Sequence, residues 1–449
     1  MQNTSPKYKT YLLTVLLVIL AFNFVDRTAL GLVLQDIKID LHLSDSQLGF
    51  LSGIAFALFY SVMGIPLARW ADRGNRVRII GVTTALWSVA VALCGMAGTF
   101  WQLMLIRVLV GVGEAGCVPS AQSLMADYFT RAERPRAISV YMQGIPLSLL
   151  IGYFVAGWLN EWYGWRAMFV MIGLPGLALA ALAGFSLREP RRERGMTSVP
   201  SPSQPTLREV RATLWKSATF RHLLYAYSAM FFFSYGGVQW TPAFFVRSFG
   251  LKSGELGTWL TLIYGVGACF GTYWVGEWAA RHAAHNERRQ LKGLAILLSI
   301  SAVLNAFVYL PALAPNHYWA FGWLGLTTMA SVGINGPSFA VIQTLVPERM
   351  RAMAIALVYF FANLIGLGLG PWAAGALSDA LRPWAGEESL RYAMLALSPG
   401  YFWVAWHVWR ASQTVTRDLE VSQSIPQGVM PDGIQVLTEV RRPPIVQRS

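Results

Sequence analysis

The chain has 449 residues, 55% hydrophobic and only 13% charged, with a mean hydropathy of +0.44 and a net charge of +13. That balance excludes a soluble globular domain and describes a polytopic membrane protein. Three cysteines in apolar stretches form neither a disulfide framework nor metal-site spacing, and no HExxH, GxSxG or Walker loop offers the chemistry of an enzyme.

Twelve apolar segments follow one another, each near or above the roughly 20 residues that cross a bilayer. Helices 1 to 6 are expected at about 10–34, 47–71, 77–98, 100–127, 136–160 and 165–187. Helices 7 to 12 are expected at about 221–248, 254–281, 289–311, 317–345, 351–381 and 389–411. The first segment is too long for a signal peptide, carries Asp26 and Arg27 and lacks a cleavage site, so it is read as a permanent helix. The fold class is therefore an all-α membrane protein, with one six-helix bundle over 1–187 and a second over 221–412. The connector, 188–220, is basic and rich in Pro and Ser (SVPSPSQPT), and the polar tail, 413–449, is expected to be cytoplasmic and disordered.

Charge orients these helices. Of the 36 Lys and Arg residues, Arg27 and Arg107 lie in the membrane and six lie in the loops opposite the N-terminus: Lys38, Arg166, Arg247, Lys252, Arg382 and Arg391. The remaining 28 share the other side with the connector and both termini, which are therefore expected in the cytoplasm. The basic surplus then reports orientation and contact with anionic lipid, not nucleic acid.

Inside helix 4 the run RVLVGVGEAGCVP, Arg107 to Pro119, sets an arginine and a glutamate seven residues apart in apolar sequence. Seven residues make about two turns, so Arg107 and Glu114 share a face, roughly 10 Å apart along the axis. Charge at bilayer depth is costly and marks a pathway or relay; the plainer alternative is an arginine locked into helix packing. The match of GVGEAG to GxGxxG follows a helix rather than a strand and is not a dinucleotide site. In helix 1, Asp26 and Arg27 are adjacent and so point about 100° apart. We expect Arg27 to face Glu114 and Asp26 to face an adjoining helix or water. A permanent Arg27–Glu114 pair that only ties helices 1 and 4 together is the alternative.

The two halves repeat each other. At an offset of 208, Leu43, Leu48, Gly49, Ala71 and Arg73 fall on Leu251, Leu256, Gly257, Ala279 and Arg281. At an offset of 218, Pro119, Ser120, Arg131, Tyr141, Gly152 and Gly157 fall on Pro337, Ser338, Arg349, Tyr359, Gly370 and Gly375. A parallel repeat of six helices is transporter architecture, with the substrate between the halves near the midplane. The intramembrane charges have no copies: Ser234 and Tyr235 stand at the positions of Asp26 and Arg27. The second half offers Tyr235, Gln239 and Trp240 in FFFSYGGVQWTPAFF of helix 7, and Asn335 in helix 10. Helices 2 and 5 add Tyr60 and Gln143. With Arg27 and Arg107 these are the expected substrate contacts, although each aromatic equally suits packing or lipid.

The loop ARWADRGNRVR, Ala68 to Arg78, is similar to the signature loop of the major facilitator superfamily, which the chain resembles over nearly its whole length. The resemblance implies a cytoplasmic gate of Asp72, Arg73 and Arg76 with Asp127 at the end of helix 4. The second-half copy, GEWAARH, has Ala280 where Asp72 stands, so the gate is one-sided. Within the superfamily the stretches FNFVDR, RVLVGVGEAGCVPSAQSLMADYF, GWRAMFVMIGLPG and NLIGLGLGPWAAGALSD resemble Spinster-type transporters. This implies proton coupling through Asp26 and Glu114 and an anionic amphiphile, such as a lysophospholipid or sphingoid phosphate, held at Arg27. The same charges also look like those of organic-anion symporters that take up sugar acids. A proton-coupled sugar-acid transporter and a multidrug exporter are therefore the alternatives. The expected setting is a bacterial inner membrane, with a monomer that works by alternating access and needs no cofactor beyond the proton gradient.

Overall fold

The computed structural model describes residues 5–130, 132–190, 207–283, 286–346 and 350–424. Helix 1 is Pro6–Leu32, with proline in its first turn where the missing N–H costs nothing. Helix 2 runs as Asp45–Ser52 and Ile54–Arg73, begun by a reciprocal Ser44–Gln47 cap. Helix 3 is Arg76–Cys94, and helix 4 is Phe100–Glu114 followed by Cys117–Tyr128. Helix 5 starts as Arg134–Met142, and Gly144–Ser186 completes it and supplies helix 6. The reversal between them is Gly164, whose φ of 77° suits glycine alone among common residues.

Helix 7 is Ala218–Phe249, closed by Gly250 in the left-handed conformation. Helix 8 joins Ser253–Leu260, a π-helical Thr261–Gly267 and Ala268–His282. Helix 9 is Glu287–Tyr309, and helix 10 is His317–Val332 with Asn335–Thr344. Helix 11 joins Arg351–Phe361, a π-helical Ala362–Leu367 and Gly368–Ala385. Helix 12 is Ser389–Leu397 with Gly400–Ser424. Seven helical stretches among the described residues are long and apolar enough to span a membrane; two of them, Arg136–Ser186 and Met353–Val421, each hold a pair of crossings.

Two boundaries differ from expectation. Helix 12 continues to Ser424, so the tail does not begin at 413; Val415 is buried against the second bundle, and Asp418 accepts from Ser217 Oγ at 2.8 Å and Thr219 N at 2.8 Å. The connector contains an amphipathic helix, Leu207–Lys216, and helix 7 starts at Ala218 inside the stretch assigned to the connector. The remainder of the tail, 425–449, lies outside the described residues.

The bundles meet on one side and part on the other. Away from the connector, one continuous core mixes both halves, including Val25, Leu48, Phe56, Trp240, Phe244 and Leu256. On the connector side each bundle keeps its own core, around Leu16, Leu124 and Tyr141 in the first and Leu223, Leu294 and Val404 in the second. Glycines let the backbones close the far side. Gly49 and Gly53 of helix 2 lie against the backbone of Pro371 and Gly368, and Gly157 of helix 5 against Ser253 and Gly257 of helix 8. An ionic seam crosses the same face. Arg247 donates to both oxygens of Asp45 at 2.7 Å, Ser378 donates to Asp45 at 2.7 Å, and Asp379 accepts from Ser46 N at 2.7 Å.

Candidate functional site

Helices 1 and 4 bring four charges together at the middle of the first bundle. Arg27 Nε and a terminal nitrogen both reach Glu114 Oε2, at 3.0 and 2.5 Å. Arg107 reaches Asp26 Oδ2 at 2.7 Å. Both pairs therefore bridge helix 1 to helix 4. Asp26 faces the adjoining helix, but that helix is the one that also carries Glu114. The 100° between neighbours on helix 1 is absorbed by arginine side chains that reach from opposite directions. Asp26 and Glu114 also stand within electrostatic reach of each other.

The four groups differ in access. Glu114, Asp26 and Arg107 are buried, with side chains at 0%, 0% and 1% exposure, while Arg27 keeps 14%. Arg27 is thus the member that faces open space, walled by the rings of Phe24, Phe56 and Tyr60 at 4.3, 4.5 and 4.8 Å. Arg107 is closed in beneath Phe56 and held by Asp26, so its expected role as a substrate contact is corrected to that of a buried counter-ion. Asp26 Oδ1 and Glu114 Oε1 have no hydrogen-bond partner among the described residues, nor has the amide of Asn23, one turn earlier on helix 1. Asn23 escaped the sequence reading, although its place four residues before Arg27 puts it on the same face.

The second bundle presents an aromatic wall. Tyr227, Phe231 and Tyr235 recur at helical spacing along helix 7, and Tyr235 lies within electrostatic reach of Arg27 and Tyr60. Phe339 of helix 10 packs on Tyr227 at 4.9 Å and on Tyr359 of helix 11 at 5.0 Å. Phe339 and Tyr359 were not among the expected contacts, because no local motif ties helices 10 and 11 to helix 7. Asn335 sits where helix 10 is interrupted, its Oδ1 buried without a partner among the described residues. Gln239 packs its amide over Gly31 of helix 1, and Gln143 is exposed at the break in helix 5. Trp240 is corrected: it is fully buried, donates its indole N–H to Pro371 O at 2.8 Å, and joins helices 7 and 11 rather than lining a cavity.

The gate residues form a separate cluster. Arg76 is buried and binds Asp127 at 2.6 Å, Ser123 O at 2.9 Å and the carboxylate of Glu189. Glu189 also accepts the Arg76 backbone N–H at 2.7 Å, so the ends of helices 4 and 6 are pinned to the start of helix 3. Glu189 was missed because it lies at the edge of the connector, far from the motif in sequence. The side chains of Asp72 and Arg73 lie outside the described residues.

The family model described as Major Facilitator Superfamily matches residues 16–371. An MFS-type efflux pump of Mycolicibacterium smegmatis is 31% identical over 90% of this chain and 93% of its own. Protein spinster homolog 1 of Xenopus tropicalis is 26% identical over 95% of this chain and 85% of its own. A probable L-galactonate transporter of Escherichia coli is 22% identical over 80% of each. Among solved structures, a bacterial homologue of the human lysosomal transporter Spinster, inward-facing and unoccupied, superposes with a TM-score of 0.83. It is 29% identical and covers 92% of this chain and 99% of its own.

Proposed function

Because the chain belongs to the Major Facilitator Superfamily, we propose that it is a proton-coupled transporter of an anionic amphiphile, of lysophospholipid or sphingoid-phosphate type. That it is an integral membrane transporter, Spinster-like and not an enzyme, follows from its family and structural relatives. Coupling and cargo are the further step.

The observation that carries the reading is the charge count at helices 1 and 4. Arg27 and Arg107 balance Asp26 and Glu114, so the cluster is neutral when both acids are ionised. Two carboxylates side by side in a buried site repel each other, and a shared proton relieves this. Asp26 Oδ1 and Glu114 Oε1, each without a partner among the described residues, are the atoms that would hold it. One proton makes the cluster net positive and loosens Arg27, the exposed member, to hold an anionic head. The aromatic wall of Phe231, Tyr235, Phe339 and Tyr359 supports an apolar body on that head.

The second reading is proton-coupled transport of a small organic anion such as a sugar acid, which the relative named as an L-galactonate transporter favours. A sugar acid asks for several hydrogen-bonding groups on the second bundle, where Asn335 is the amide with an oxygen to spare. Multidrug export, suggested by the efflux-pump relative, needs no fixed anion partner and leaves the Arg27 pair without a use. Lys and Arg distribution supports placing the connector and both termini in the cytoplasm of a bacterial inner membrane. The parted side of the bundles then faces inward, and a monomer driven by the proton gradient suffices.

Purified protein in liposomes with an internal pH-sensitive dye tests this. We expect lysophospholipid or sphingosine-1-phosphate, and not a sugar acid, to drive proton flux in wild type but not in Glu114→Gln. Flux driven by the sugar acid alone selects the second reading. Ligand-driven flux that survives unchanged in Glu114→Gln removes the glutamate from the coupling scheme.

A further inference from the structure

Helices 3 and 6 pack closely along the half away from the connector, where Gly173 lies against Ser88 and Ala92 and Gly176 against Trp87. Toward the connector they part. A side chain placed on Gly184 would meet nothing within 4 Å, and one on Gly81 would find its nearest neighbour, Ala180 O, at 3.5 Å. Between them lies a cleft of about 730 Å³, walled by Val77, Val82, Ala85, Leu177, Ala181 and Phe185. Its rim is the outer surface of the first bundle: Phe185 is 94% exposed and Val82 50%. In a membrane protein such a rim faces acyl chains, not the central site.

The end of the cleft nearest the connector is positive. Arg78, in the first turn of helix 3, and Arg188, just past helix 6, both line it, and neither has a carboxylate partner among the described residues. Arg188 is steadied over the ring of Tyr8 at 5.7 Å. Glu189 also lines the cleft, but Arg76 occupies its carboxylate. Two guanidinium groups with no carboxylate among the described residues, above an apolar slot, match a phosphate with hydrocarbon attached.

We propose that this cleft binds an anionic diacyl phospholipid, with its phosphate on Arg78 and Arg188 and one acyl chain along the glycine-lined floor between helices 3 and 6. The occupant sits against Glu189 and so against the joint that Arg76 makes between helices 3, 4 and 6. A bound lipid therefore stiffens the connector side of the first bundle, at a place separate from the transport charges.

The test uses the full chain in mild detergent, with bound lipids counted by native mass spectrometry and thermal unfolding followed as lipid is added. Phosphatidylglycerol is expected to be retained and to raise the unfolding temperature; phosphatidylcholine is not. Arg78→Ala with Arg188→Ala should weaken phosphatidylglycerol binding by roughly 25-fold, at about fivefold per arginine. Gly184→Leu fills the cleft, leaves every charge in place and points into open space, so it should lower lipid retention in a protein that still folds. Equal binding of both lipids, or binding unchanged in both variants, overturns the proposal. Glycerol phosphate binding as tightly as the lipid would show a phosphate site and overturn the lipid assignment.

Discussion

Glu114 gives one carboxylate oxygen to Arg27 and keeps the other without a partner, and the same holds for Asp26 beside Arg107. The two pairs nevertheless do different work, because only Arg27 is open to the space between the bundles. Glu114→Gln keeps an oxygen for Arg27 and should leave stability within about 1 kcal/mol while removing coupling, as thermal unfolding and proton flux would show together. Arg107→Met is expected to behave in the opposite way. It strands Asp26 in the core, which typically costs about 3–5 kcal/mol, and Asp26→Leu added to it should restore most of that loss. Equal stability of Arg107→Met and wild type would mean that the Asp26–Arg107 pair contributes nothing net to the fold. At the surface, Lys9 holds Glu133 at 2.8 Å, and this pair and the backbone of Thr130 hold the Glu133 carboxyl at about 2. A depressed acid stabilises the fold above the ordinary carboxylate value near 4.3, and that contribution fades as pH falls toward 2. NMR titration of Lys9→Ala should find Glu133 raised part of the way toward the ordinary value, because Thr130 still donates to it.

At the scale of helices, the repeat read from sparse identities has a structural counterpart. Helix 2 is interrupted at Gly53, and 208 positions on, at Thr261, the π-helical segment of helix 8 begins. Helix 4 is interrupted at Ala115 and Gly116, and 218 positions on, at Gly333 and Ile334, helix 10 is interrupted too. Helix 5 restarts at Gly144, and 218 positions on, at Ala362, helix 11 turns π-helical. The order of helices, their interruptions and the intramembrane charges are legible in the chain because hydropathy and period are local. The partners are less so: Asp26 with Arg107, Glu189 with Arg76, and Asp45 with Arg247 join residues far apart in sequence, and packing alone decides them. Trp240 misled for the same reason, since a tryptophan near a Gly–Gly pair reads alike whether it faces a cavity or another helix. Where helices 5 and 8 touch, a side chain on Gly257 would meet Tyr153 O and the Cα of Gly157, and neither can retreat. Gly257→Leu should cost this arrangement about 1–3 kcal/mol and shift the population toward separation of the far face by roughly five- to hundredfold. Spin labels at the exposed Ile39 and Trp384, with Cys269 replaced by Ser, would report it as a longer inter-label distance. An unchanged distance distribution would mean that the helix 5–8 crossing does not hold the far face shut.

For the molecule as a whole, alternating access requires the far face to open, and the ionic seam is what must come apart. Asp45 sits at the centre of that seam, buried, with Arg247 from helix 7, Ser378 from helix 11 and Lys38 from its own bundle all donating to it. Burial of Lys38 and the nearby Arg247 lower the pKa of its ammonium, so Lys38 supports Asp45 less firmly than Arg247 does. The Arg247 and Ser378 contacts cross between bundles and are made only while the far face is closed, so removing one penalises this state and not its opposite. Arg247→Gln leaves Lys38 beside Asp45, which puts the cost near the low end for a broken buried pair, about 3 kcal/mol. That corresponds to roughly a hundredfold shift toward the far-open form. Ser378 is fully buried inside the seam, so Ser378→Cys should be silent to a membrane-impermeant maleimide added from the far side. It should become reactive when Arg247→Gln is combined with it, and protonation at helices 1 and 4 should modulate the rate if the two ends are coupled. Reactivity equal with and without Arg247→Gln would assign closure of the far face to the glycine contacts alone, and the charged seam would then be a consequence of closure rather than its cause.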